Sequence, residues 1–160
     1  MNEKIKYLKS IIIFVGIVTL GVYIYSFLKL PYILNLAHGF NKSLTSYLVI
    51  LLGITLIPFE YILFQSQKIL GDIKKDCFFS FSPVKALINI KKGMFTILIV
   101  YLIAISLIFI NGLFSGITSI ILISVILVIS TIILCIEIFI EVLKKAIRIK
   151  KENDLTIWGG

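Results

Sequence analysis

The sequence predicts an all-α integral membrane protein: a bundle of four transmembrane helices, with a short amphipathic interfacial helix before the third. Three observations predict it. Apolar residues make up 59% of the 160 residues and charged ones only 15%, with a mean hydropathy of +1.10. The apolar residues fall into runs long enough to cross a bilayer. The basic residues collect in the segments that four crossings would place on one side.

A water-soluble domain of this length must cover a large surface with polar groups, and too few are present here. The surplus apolar side chains face lipid, and the whole chain reads as one membrane domain. Helices in lipid associate through close van der Waals contact and small residues, with no hydrophobic drive between them.

The first span covers about 10–29. Ser10 to Leu28 carries no charge and would be roughly 28 Å long at 1.5 Å per residue. Lys4, Lys6 and Lys9 precede it as in a signal peptide. The run is long for such a peptide, however, and Tyr23, Tyr25 and Phe27 occupy the place of a small-residue cleavage site. Pro31 is expected to end the helix. A short loop follows with His38, the only histidine, which reads as a solvated side chain able to titrate near neutral pH.

The second span covers about 43–67 and holds one charge, Glu60, two residues after Pro58. Proline inside a membrane helix frees a backbone carbonyl and favours a kink. The segment 68–92 is the long polar loop. Within it Ser82-Pro83 reads as N-cap and first helical position. Val84, Leu87 and Ile88 recur at helical spacing while Lys85, Asn89 and Lys92 face elsewhere. This is the amphipathic helix, lying at headgroup depth and feeding the third span.

From Gly93 to Ile136 the chain holds 44 residues without a charge. One helix of that length would be roughly 66 Å, twice the hydrocarbon thickness. The chain must turn back, and Asn111-Gly112 is the strongest turn signal. The third span is therefore about 94–110 and the fourth about 117–143, as antiparallel neighbours. A tail, 144–160, follows.

Orientation comes from the 16 basic residues. Three precede the first span, six lie in 68–92 and five in the tail. Two flank the first short loop, and the turn at Asn111-Gly112 has none. The lysine-rich side is expected to be the cytoplasm, holding both termini of a multi-pass cell-membrane protein. The formal charge of +8 then serves orientation and contact with anionic headgroups, and direct nucleic-acid binding is not expected. Cys77 and Cys135 should remain reduced. With a single histidine they form no metal-ligand spacing, so neither a metal nor a cofactor is expected.

Enzymatic chemistry is not expected either. H-E-x-x-H, G-x-S-x-G and Walker A patterns are absent. A Ser-His-Asp arrangement would need His38 and the aspartates on the same side, and no Asp lies in a span. The chemistry-bearing groups in or near the membrane are Glu60, Glu137 and Glu141. Glu60 and Glu137 fall at similar depth, each near the inner end of an inward-running helix. Together they could share a proton or hold a cation, which would make the chain a small proton- or cation-coupled transporter. They could equally reach headgroups or pair with Lys68 or Lys144. Glu141 and Lys145, four residues apart, read as an interfacial pair.

The tail is basic from Lys144 to Lys151. Asn153 and Asp154 are expected to stop its helix, leaving Leu155, Ile157 and Trp158 as an exposed apolar end. Two uses are open: folding back so that Trp158 anchors at the interface, or presentation of an extended segment to a partner by strand addition.

Two stretches carry a family resemblance: Cys77-Phe78-Phe79-Ser80 running on to Leu87, and Glu152-Asn153-Asp154-Leu155-Thr156-Ile157 in the tail. Both resemble the bacterial domain-of-unknown-function family 2975, small four-span membrane proteins. The tail hexapeptide matches intact, whereas Cys77 stands where the family pattern has a proline before Phe. The resemblance spans essentially the whole chain and brings no established activity. It implies a context, since such proteins are often encoded beside a small helix-turn-helix transcription regulator. By that analogy the cytoplasmic face binds such a regulator, with Glu152, Asn153, Asp154, Leu155, Thr156 and Ile157 as partner-binding residues. Besides this and the transporter built on Glu60 and Glu137, a structural or immunity-type role and an oligomer in the bilayer stay open.

Overall fold

The computed structural model describes residues 2–36 and 42–159. Four helices follow in chain order: α1 (Asn2–Leu36), α2 (Lys42–Lys74), α3 (Phe81–Ile110) and α4 (Gly116–Gly159). All four contain a stretch long and apolar enough to cross a membrane. The described residues hold no strand. His38 lies outside them.

The helices overrun the spans that hydropathy marks. With 35, 33, 30 and 44 residues they reach roughly 45–66 Å, against about 30 Å of hydrocarbon. Most of the excess emerges at the lysine-rich end. The expected loop 68–92 is therefore largely helical, and only residues 75–80 separate α2 from α3. The amphipathic segment is not a separate helix; it forms the first turns of α3 and runs into the span without a break. Pro31 does not end α1, which continues to Leu36. A backbone in lipid has no water to satisfy opened carbonyls, so the helix continues past the proline. The N-cap of α3 is Ser80, not Ser82, and Pro83 sits fully buried inside the first turn.

Both inter-helix turns at the ends of α2 and α3 close in the same way. At the end of α3, Leu113 N–H donates to Ile108 O (3.2 Å) and Gly112 N–H to Phe109 O (3.0 Å), with Gly112 at φ 68°. At the end of α2, Cys77 N–H donates to Asp72 O (2.9 Å) and Asp76 N–H to Ile73 O (3.2 Å), with Asp76 at φ 55°. Both are Schellman closures with a left-handed residue after the cap. Only the first uses glycine, which is why the sequence announces it and hides the second.

Helices adjacent in the chain are adjacent in space. α1 packs on α2, α2 on α3, and α3 on α4. No other pair brings its backbones close among the described residues. The α2–α3 crossing is the tightest, because Gly93 of α3 lies against Ile62 and the Pro58 carbonyl of α2. The best-buried cluster sits at the lysine-rich end. Val84, Leu87 and Ile90 of α3 meet Ile140 and Leu143 of α4, with Ile62, Phe78 and Ile147 packed around them. This is where water reaches the helices and apolar burial has its full drive. Deeper in the membrane that drive is absent and packing is looser. There residues of all four helices line an open cavity of about 320 Å³, bordered by Tyr23, Thr55, Tyr101 and Val125. Tyr23 and Thr55 hydroxyls lie 3.0 Å apart across α1 and α2, and Tyr101 donates to Leu122 O of α4 at 3.3 Å.

Candidate functional site

The candidate site is the lysine-rich end, where four helix ends and the turn 75–80 meet. The turn is locked from inside. Ser82 Oγ donates to Asp72 Oδ2 at 2.8 Å, tying the start of α3 to the end of α2. Ser80 Oγ donates to Cys77 O. Phe78 and Phe79 meet edge to face, 5.5 Å between ring centroids, and Phe78 packs on the apolar cluster. Cys77-Phe78-Phe79-Ser80 is thus the body of a closed turn. Cys77 itself is exposed, and both Cys77 and Cys135 carry free thiols.

α4 runs past this turn. Ile147 joins the apolar cluster, and Lys150 Nζ lies 5.6 Å from the Phe79 ring centroid, within range of a cation–π attraction. These contacts hold the first two turns beyond the span. The helix then continues through Glu152, Asn153, Asp154, Leu155 and Thr156, all exposed, with Thr156 Oγ1 donating to Glu152 O at 2.9 Å. Asn153 and Asp154 do not stop it. Each costs only a few tenths of a kcal/mol in a helix that is already running, and no glycine or proline intervenes before Gly159. The hexapeptide is therefore presented as a helix, not as an extended strand. Ile157 and Trp158 continue that helix; their side chains lie outside the described residues.

The membrane carboxylates separate. Glu137 of α4 pairs with Lys91 of α3, Oε1 to Nζ 3.3 Å, at 54% and 29% side-chain exposure. This is the one ion pair among the described residues, and neither Lys68 nor Lys144 is its partner. Glu141 and Lys145 are both exposed and form no such pair. Glu60 lies at the α1–α2 interface: its Oε2 would be 3.5 Å from a Cβ placed on Gly16. Its Oε1 is buried with no hydrogen-bond partner. The chain of contacts Lys91–Glu137, Gly93–Ile62 and Glu60–Gly16 keeps the two acids near a common depth. It also puts them on different helix pairs, with the α2–α3 crossing between them. The structure does not bring them together. Among the described residues no group of three or more His, Cys, Asp or Glu side chains could hold a metal.

Sequence reasoning missed Lys91 as the partner of Glu137, Gly16 as the neighbour of Glu60 and Lys150 as the neighbour of Phe79. All three depend on helix azimuth, and a run apolar on every side carries little azimuthal signal.

Residues 2–157 match the family model described as "Protein of unknown function (DUF2975)". The chain is also similar to the Uncharacterized membrane protein YoaS of Bacillus subtilis (strain 168). The two are 32% identical over 156 residues, which span 94% of this chain and 96% of that protein. No solved structure matches. Four membrane-crossing helices, the closed Cys77–Ser80 turn and the Glu152–Ile157 helix all fall inside the matched residues; the chain belongs to the DUF2975 family.

Proposed function

We propose that this membrane protein is non-enzymatic, that its lysine-rich end faces the cytoplasm, and that it holds a small helix-turn-helix transcription regulator there. The observation that carries the reading is the projecting end of α4. From Lys144 to Gly159 the helix extends roughly 24 Å beyond the span. It is fixed at its base by Ile147 and Lys150 and presents Glu152–Thr156 uncovered. A rigid base with an exposed helical end suits docking into a partner's groove, a mode that replaces the strand addition expected of an extended tail. The basic residues support the orientation, since fourteen of the 16 lie on the side of the termini. The regulator as partner comes from the family context that the hexapeptide resemblance implies.

The test is cross-linking and pull-down from native membranes, with the full chain and with Glu152–Gly160 deleted. A small DNA-binding protein should be recovered with the first and lost with the second, while both insert equally. Recovery that survives the deletion removes the tail from the reading.

A second reading is favoured by one observation, the unpartnered buried oxygen of Glu60. It is a proton- or cation-coupled transporter using Glu60 and Glu137. It requires an ion or proton flux in reconstituted vesicles that Glu60→Gln abolishes; vesicles with no flux at all eliminate it.

A further inference from the structure

We propose that the groove between α1 and α2 at Glu60 is a binding site for a lipophilic monovalent cation that enters from the bilayer. The inference deepens the second reading and rests on its assignment of Glu60, but it requires binding only, not transport.

The groove measures about 250 Å³ and is lined by Ile12, Ile17, Leu63 and Phe64, with Glu60 and Gln67 as its polar groups. Gly16 forms part of its floor. A side chain there would occupy the space that the Glu60 carboxylate now borders, since even a Cβ would meet Oε2 at 3.5 Å. The other carboxylate oxygen is buried and unpartnered. One buried, unpartnered carboxylate oxygen at the wall of an open groove leaves a place for a cationic group.

Among the described residues no cationic side chain pairs with Glu60. Along α1 the nearest charge is Lys9, seven residues or roughly 10 Å before Gly16. Along α2 it is Lys68, eight residues or roughly 12 Å after Glu60. Lys9 directs its Nζ away from Glu60, to Gly71 further along α2. α3 packs on another side of α2, through Gly93 against Ile62, and its Lys91 is engaged by Glu137. α4 brings no backbone close to α1 or α2.

The donor set decides the class of cation. Hard inorganic ions demand a shell of several oxygens, and this groove offers one carboxylate and one amide amid isoleucine, leucine and phenylalanine. An organic cation with spread charge carries its own apolar coat. It needs one counter-charge and apolar walls, and both are present. The ligand can leave part of its apolar body in lipid, because the groove borders residues such as Ile17 and Phe64 that are exposed on the outer surface of the helices.

The experiment is equilibrium dialysis of tetraphenylphosphonium against the purified full-length protein in nonionic detergent, with protein-free micelles as background. Saturable binding is expected. Glu60→Gln should weaken it about tenfold or more, the ratio that a loss of about 1.4 kcal/mol produces. Gly16→Leu keeps the charge but fills the floor, and should weaken binding too. Glu141→Gln, on the exposed surface of α4, should leave it unchanged. No saturable binding above micelles overturns the proposal, and so does equal affinity in Glu60→Gln that elutes and reads as helical like the parent. A proton flux without tetraphenylphosphonium binding overturns this inference and leaves the transport reading intact. Binding without flux supports the site and removes the coupling.

Discussion

Gly93→Ala tests the packing that holds the centre of the molecule. A Cβ there would sit 2.9 Å from Ile62 Cγ1, 3.2 Å from Ile62 Cδ1 and 3.6 Å from the Pro58 carbonyl oxygen. Carbon atoms rest about 3.5–4.0 Å apart, so the new methyl arrives roughly half an ångström too close. Cγ1 lies next to the branch of a side chain that keeps one rotamer in a helix, and it cannot swing clear cheaply. Movement of α3 away from Ile62 would open the tightest of the three helix interfaces. Overpacking of this kind costs about 1–3 kcal/mol, and alanine returns up to about 1 kcal/mol of helix propensity. The net expectation is a loss of about 0–2 kcal/mol. A number so close to zero is a weak test alone, so the decisive measurement is the coupling. Ile62→Ala removes Cγ1, and the Gly93→Ala/Ile62→Ala double variant should be about 1–3 kcal/mol more stable than the sum of the single effects. Equilibrium unfolding in mixed micelles, titrated with sodium dodecyl sulfate, gives all four free energies. Additivity within about 0.5 kcal/mol would refute the claim that these two residues set the distance between α2 and α3.

Four other outcomes follow from the same geometry. Asp76→Ala should cost about 1 kcal/mol by the same unfolding assay, because Asp76 holds a left-handed φ of 55°, whereas Asp76→Gly should cost nothing. Tyr23→Phe removes the hydroxyl 3.0 Å from Thr55 and should cost about 0.6 kcal/mol, the average of such interhelical bonds in membranes. Lys91→Met and Glu137→Gln should each cost no more than about 1 kcal/mol, since both side chains of the pair are partly exposed; the effect should shrink as salt is raised. An alkaline phosphatase fusion after Ile110 should be active outside the cell and one after Lys151 inactive, and the reverse pattern would invert the proposed orientation.

What could be read from sequence was what depends on length, charge and local turn chemistry. Four spans followed from apolar run lengths, and the α3–α4 turn from Asn111-Gly112. What could not be read depends on neighbours. Asp76 adopts the left-handed position of a closure that composition associates with glycine, and Pro31 lies inside a helix because lipid offers no alternative to helical hydrogen bonding. Ser82 resembles a cap, but its hydroxyl is used to reach Asp72 from inside α3, and Ser80 takes the capping position. The candidate site shows the same division. Glu60 and Glu137 were visible as acids at one depth; that they occupy separate helix pairs is a matter of rotation about the helix axes. The tail was visible as a motif, but its helical state depends on the long helix already running into it.

That helical state bears on how the tail could work. Glu152 and Asp154 stand near the C-terminal end of α4, and no basic residue lies in its last turn. Both acids lie before the last turn, so the helix dipole, which acts only over that turn, does little to either. Neither has an ion-pair partner among the described residues. The base of the projection is held instead: Ile147 is packed in the apolar cluster and Lys150 lies near Phe79. One helix therefore has a secured base and an end whose acids are unpaired, and that end is the hexapeptide. A partner that brings cationic side chains to Glu152 and Asp154 would pair them as it binds, which an apolar membrane surface cannot do. In the proposed reading, capture of a soluble partner therefore draws on the acidic turn rather than on the lysines before it.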